Sequence, residues 1–80
     1  MHYVYLLQDE QEKLYVGYSG DLKKRLYDHK SKRVNTTRVY KEPVLIWYCA
    51  FKNKKVALDF EKYLKVGSGH AFMRKHLLDS

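Results

Sequence analysis

Two charged side chains stand where their helices should be apolar. At about 100° per residue, Leu22, Arg25, Leu26 and His29 fall within roughly a third of a turn of one another. Lys23, Lys24 and Asp28 occupy the other sides, so this helix has a solvated face without Arg25. A second stretch repeats the pattern: Ala57, Phe60, Glu61 and Leu64 share one arc, while Lys54, Lys55, Lys62 and Lys65 take the rest. A buried charge costs several kcal/mol unless it is paired or bound to a ligand. The plain account is that Arg25 and Glu61 pair with each other, or lie at the edges of their stripes with their heads in water. The chemical account gives each a substrate. A guanidinium clamps a phosphate bidentately and a carboxylate holds a divalent cation, the parts of a site that hydrolyses phosphodiesters.

Phenols lie nearby in the sequence. Tyr3-Val4-Tyr5 and Tyr15-Val16-Gly17 sit on two short aromatic segments, and Tyr5, Tyr15 and His29 are the candidates for proton handling. A phenol is almost wholly protonated at neutral pH. Tyr15 therefore serves as a base only where Arg25, a metal or His29 stabilises its phenolate, whereas His29 needs no such help. With eight tyrosines in the chain, most must be packing or surface residues, and Tyr3, Tyr27, Tyr40, Tyr48 and Tyr63 are assigned to that class. Geometry offers a test. Opposed residues of an antiparallel hairpin have numbers that add to a constant, so Tyr5 and Tyr15 share a face only if that constant is even. Leu7 opposite Leu14 would separate them.

The elements that must position these groups follow from patterning. His2–Leu7 and Leu14–Tyr18 read as strands joined by the polar turn Gln8–Glu12. Ser19 or Gly20 starts a helix that runs to about Lys30, with Asp21 in its first turn and Lys23, Lys24, Arg25 and Lys30 farther along, the order favoured by the helix dipole. Ser31–Glu42 reads as a basic loop, and Val44–Phe51, continuously apolar and of strand length, as a strand covered on both faces. Lys54–Lys65 returns to helical spacing, Gly67 is placed as its C-terminal cap, and Ser68 as the cap of a last helix through His76. Gly67-Ser68-Gly69 fits a phosphate-holding turn equally well. The order is β-β-α-β-α-α, an α+β fold, read as a single domain over residues 1–80.

Charge narrows the partner. Sixteen Lys and Arg face nine Asp and Glu. Asp9, Glu10 and Glu12 all precede the first lysine, so from Lys13 onward sixteen basic residues face six acidic ones. Such a surface attracts polyanions, because each phosphate neutralised releases condensed counterions. Nucleic acid is the first choice, with Lys24, Lys30, Lys32, Arg33 and Arg38 as its candidate contacts. The lone Cys49 excludes a disulfide or a Cys-rich zinc site within one chain, and His2, His70 and His76 show no zinc spacing. No stretch approaches a membrane span and no export signal is present, which points to the cytoplasm.

In order and spacing the motif residues resemble the GIY-YIG nuclease superfamily, in particular its small single-domain bacterial members. Tyr3-Val4-Tyr5 stands for the first tripeptide and Tyr15-Val16-Gly17 for the second; Arg25 and His29 follow in Ser19–His29, and Glu61 lies on the helix after the third strand. Gly67-Ser68-Gly69-His70-Ala71-Phe72 is similar to the tail of the single-domain group. The resemblance implies a small three-stranded antiparallel sheet flanked by helices, and hydrolysis of DNA with one divalent ion, Mg²⁺ or Mn²⁺, bound weakly without substrate. It makes Tyr5 and Tyr15 the motif tyrosines, Gly17 the motif glycine, Arg25 the phosphate clamp, Glu61 the metal ligand, and His29 a residue that helps activate the nucleophile. Two positions depart from the pattern: Tyr3 replaces the first motif's glycine, and Tyr18 stands where some relatives carry a lysine. A late asparagine used by some relatives has no match.

The expected activity is metal-dependent endonucleolytic cleavage of DNA, structure-directed or serving DNA repair and processing, without a small-molecule cofactor and without a membrane. Target choice would then come from DNA structure, a partner protein or a homodimer. The alternatives are a catalytically inactive nucleic-acid-binding module of the same fold and, more remotely, a protein-interaction domain.

Overall fold

The computed structural model describes residues 1–30 and 42–77. Strands β1 (His2–Gln8) and β2 (Leu14–Ser19) form a hairpin, followed by helix α1 (Leu22–Lys30), strand β3 (Val44–Phe51), and helices α2 (Lys54–Leu64) and α3 (Gly67–Phe72). A π-helical turn, Met73–Leu77, continues α3. The sheet is antiparallel with order β2-β1-β3. This is the α+β architecture expected from the sequence.

The hairpin turn is organised by a carboxylate that sequence patterning did not single out. Asp9 is buried, and its Oδ1 accepts hydrogen bonds from the amides of Gln11 (2.9 Å) and Lys13 (2.8 Å). Closing so tight a turn drives Glu12 to φ 63°, a left-handed conformation that costs a residue with a Cβ about 1 kcal/mol. Glu12→Gly is therefore expected to raise the melting temperature by about 2–5 °C in a thermal melt, the strain relieved outweighing the extra freedom of the unfolded chain. An unchanged or lower Tm would remove the strain assignment.

β1, not β3, is the strand covered on both faces. Val4 and Leu6 point to one side, Tyr5 and Leu7 to the other, and all four are buried. β3 is an edge strand whose residues alternate between exposed (Val44, Ile46, Tyr48, Ala50) and half-buried (Leu45, Trp47, Cys49, Phe51). Its continuous apolarity suggested two-sided burial, but strand order decides burial, and only β1 pairs with two neighbours. A register shift between Leu6 and Leu7 lets β3 pass from Trp47 to Leu45 across from consecutive β1 residues.

The main core lies on the face that receives α2 and α3. Val4, Leu6 and Val16 pack with Ala57, Leu64 and Met73, bordered by Trp47, Phe51, Phe60 and Phe72. Asn53 caps α2, its side chain accepting from the Val56 amide at 3.1 Å. Gly67 is not a left-handed cap. α2 ends at Leu64, the Lys65 amide closes its last turn, and Gly67 begins α3 behind the extended Val66. Ser68 accordingly lies inside α3 and caps nothing. The glycine this junction needs is Gly69, buried so close to Tyr63 that a Cβ would collide with the Tyr63 carbonyl.

Candidate active site

The second face of the sheet gathers the polar residues. Tyr5 lies opposite Gly17, and Leu7 opposite Tyr15. The sum of paired numbers is thus even, and both phenols fall on the side of α1. Their rings lie 6.2 Å apart, centroid to centroid.

Gly17 makes this arrangement sterically feasible. A Cβ built there would fall 2.5 Å from the Tyr5 hydroxyl and 2.9 Å from a ring carbon of Tyr15. The Tyr5 ring crosses β2 where β2 has no side chain, so the motif glycine acts as clearance for a phenol.

Helix α1 delivers the next two groups. Asp21 is its N-cap: its Oδ1 accepts from the Lys24 amide at 3.1 Å, while Ser19, the last residue of β2, turns the chain by donating to the Asp21 carbonyl at 2.9 Å. The start therefore lies one residue later than Gly20. From this start α1 sets His29 against both tyrosines, with ring centroids 5.7 Å from Tyr5 and 5.0 Å from Tyr15, each edge-on. The Tyr5 hydroxyl and His29 Nε2 share a hydrogen bond of 2.8 Å inside the protein. His29 is 2% exposed and Tyr5 1%.

The electrostatics of this cluster are consistent. Burial, above all, pushes the Tyr5 hydroxyl well above the ordinary phenol range; Tyr15 and the negative Glu61 add to this, and Arg25 opposes it. Burial and the Arg25 charge hold His29 below its usual value, with Asp28 acting against them. At neutral pH the pair is a neutral phenol on a neutral imidazole. Because His29 takes its proton less readily folded than unfolded, the unfolded chain binds more protons below pH about 6.5. This part of the stability is complete above that pH and is lost as pH falls through the depressed His29 pKa. Tm measured between pH 7 and 5 should therefore decline more steeply for the native chain than for His29→Gln; parallel slopes would refute the burial assignment.

Arg25 and Glu61 do not pair with each other. Among the described residues Arg25 forms no ion pair, while Glu61 is held by Lys65, four residues on, at 3.2 Å. Arg25 is half-buried and borders a cavity of about 320 Å³ with Ser19, Asp21, Lys24 and Asp28. Both carboxylates of this cavity are engaged elsewhere, Asp21 with the Lys24 amide and Asp28 with the Lys24 ammonium, which leaves the guanidinium able to take an external anion. Glu61 is mostly covered, its side chain 18% exposed, and its charge reaches the Tyr5 hydroxyl although α2 packs on the sheet's other face.

Glu61 is the carboxylate expected to bind a metal, and within the described residues it is no part of a preformed ligand cage. Among the described residues no three His, Cys, Asp or Glu side chains cluster tightly enough to enclose an ion. That fits Mg²⁺ or Mn²⁺, which keep several waters and accept substrate oxygens, and does not fit a closed zinc cage. Lys65 is the partner that sequence reasoning missed; its signal was the i, i+4 spacing after Glu61. Of the basic candidates, Lys24 is exposed and pairs with Asp28 at 3.4 Å, and Lys30 is exposed at the end of α1. Lys32, Arg33 and Arg38 lie outside the described residues, as does most of the expected basic loop.

Residues 1–74 match the family model for the GIY-YIG catalytic domain. The chain belongs to the GIY-YIG family. A UPF0213 protein of Vibrio campbellii is 36% identical over 63 residues, covering 78% of this chain and 61% of the relative, so the chain spans about three fifths of that protein. A UPF0213 protein of Streptococcus pyogenes serotype M5 is 38% identical over 64 residues, covering 79% and 70% respectively. The solution NMR structure of a UPF0213 protein from Bacillus halodurans superposes with a TM-score of 0.59 at 26% identity, covering 95% of this chain and 85% of that one. GIY-YIG is a nuclease family whose substrates are nucleic acids and whose members generally use divalent metals, so the fold and family expected from the motifs are those found. No helix among the described residues is long and apolar enough to cross a membrane.

Proposed function

We propose that this GIY-YIG chain is a divalent-metal-dependent endonuclease that hydrolyses DNA phosphodiester bonds, directed by DNA structure and serving DNA repair or processing in the cytoplasm, with residues 1–80 acting as one nuclease domain. The observation that carries the reading is the cluster of Tyr5, Tyr15 and His29 around the clearance at Gly17, with the charges of Arg25 and Glu61 both acting on the Tyr5 hydroxyl.

Arg25 takes a non-bridging oxygen of the scissile phosphate, its fork matching the planar pair of oxygens. Glu61 holds the cation, which supplies neutralisation of charge at the phosphate and a more acidic water. Lys65 must then yield the carboxylate. Tyr5, buried and firmly protonated, is not itself the base. It lies between the half-buried Tyr15, its ring centroid 6.2 Å away, and His29 Nε2, with which it shares a hydrogen bond. With the Tyr15 hydroxyl turned to donate to the Tyr5 oxygen, Tyr15 accepts the proton of the attacking water as its own proton passes to Tyr5 and the Tyr5 proton to His29 Nε2. The two candidate bases thus become the two ends of one relay.

The test is incubation of plasmid and branched DNA with Mg²⁺ or Mn²⁺, comparing the native chain with Glu61→Ala and Arg25→Ala. Cutting by the native chain alone is the expected result. Binding without cutting on every substrate would return the protein to the class of binding modules, and cutting that survives Glu61→Ala would move the chemistry elsewhere.

A further inference from the structure

The position where this chain departs from the family motif lines a cavity of its own. Tyr3, which replaces the motif glycine, and Tyr48 of β3 bound a space of about 390 Å³ together with Asp21, Leu22, Lys23 and Leu26. Tyr3 is half-buried and Tyr48 is 53% exposed, a large aromatic surface left open on the face that carries the active site. Their rings lie 6.3 Å apart and tilt by 57°, so neither covers the face of the other. The walls are aromatic and aliphatic, and the rim carries Lys23 and Asp21, whose carboxylate is engaged by the Lys24 amide.

Location gives the cavity a meaning. Asp21 lines both this cavity and the one beside Arg25, and consecutive lysines diverge, Lys23 to this cavity and Lys24 to the other. The two spaces flank the start of α1. A helix is about 10 Å across, the reach of about three nucleotides at about 3.4 Å each along a strand. A strand whose phosphate rests on Arg25 therefore passes the second cavity within a few nucleotides.

We propose that the Tyr3–Tyr48 cavity is a subsite for an unpaired base of the DNA substrate, stacked on Tyr48 with its backbone steered by Lys23. The proposal rests on the nuclease reading and assigns its substrate class: DNA with a single-stranded or extruded nucleotide a few positions from the cut. A base in a duplex has both faces occupied by its neighbours and offers none to a tyrosine, whereas an unpaired base gains a stacking partner.

The experiment uses the full chain, EDTA to prevent cutting, and two DNAs that differ only in whether one 2-aminopurine is paired in a duplex or unpaired in a short flap. The native chain should quench the unpaired fluorophore and bind the flap more tightly than the duplex. Tyr48→Ala should abolish the quench and weaken flap binding about 5- to 150-fold, with duplex binding unchanged, and Tyr48→Phe should restore both. Half-exposed Tyr48 is a mild site to truncate, and unchanged duplex binding reports that the variant is folded. Equal quench and equal flap preference in Tyr48→Ala would overturn the subsite. If the native chain still cuts duplex DNA with Mg²⁺, the nuclease reading survives that failure. A native chain that neither binds nor cuts either DNA would overturn both.

Discussion

Arg25→Ala is expected to leave a folded protein that still binds branched DNA but cuts it about 10²–10³-fold more slowly, the usual loss when one preorganised donor to a reacting oxyanion is removed. The structure explains why the cost should fall on kcat. Arg25 has no ion-pair partner among the described residues, so its removal orphans no carboxylate and disturbs little packing. What disappears is the guanidinium that lines the polar cavity at the start of α1 and, in the proposed reaction, grips the phosphate. Arg25→Lys should recover only part of the rate, because a point charge lacks the fork that grips two oxygens. Glu61→Ala should be more severe, since the described residues offer no cluster to replace it, and raising Mg²⁺ should not rescue it. Single-turnover rates with saturating protein separate these outcomes from weakened binding. An Arg25→Ala variant that cuts at the native rate would remove Arg25 from the chemistry.

Gly17→Ala is expected to disable the protein by a different route. The added methyl would meet the Tyr5 hydroxyl at 2.5 Å and a ring carbon of Tyr15 at 2.9 Å, so both phenols must shift. Tyr5 has little room to do so, being 1% exposed and hydrogen bonded to His29. Overpacking of this kind costs about 1–3 kcal/mol, or about 4–24 °C in Tm for a domain of this size. Cleavage should fall even at temperatures where the variant remains folded, because the Tyr15–Tyr5–His29 line is broken. Tyr5→Phe separates the two effects: it removes the hydroxyl while keeping the ring, so it should cost less stability than Gly17→Ala yet lose the relay. Melting curves together with cleavage rates of the two variants check this. Full activity in Gly17→Ala would show that the ring crossing is not needed.

Much of the placement of the candidate residues was legible in their spacing because it depends on local periodicity. Arg25 and His29 lie four apart on one helix, so their shared arc follows from 3.6 residues per turn, and the same holds for Glu61 within its apolar stripe. The hairpin left one parity to decide, and pairing Leu7 with Tyr15 decided it. Burial of β3 was not legible, because an apolar run reads the same at an edge as at a centre. Nor was Gly67, whose chemistry suits a cap equally well as a helix start.

Sequence alone determined the kinds of groups available and their order: two phenols, a glycine, a guanidinium, an imidazole and a carboxylate, on a strongly basic chain. Those are properties of residue type and spacing, and no folding is needed to state them. Only the tertiary structure decided which groups touch. It gave Glu61 to Lys65 rather than to Arg25, joined the Tyr5 hydroxyl to His29 Nε2, and opened a cavity beside Tyr48. Those outcomes depend on strand order and on the space left between layers, which arise from contacts between residues far apart in the chain and so have no local signature.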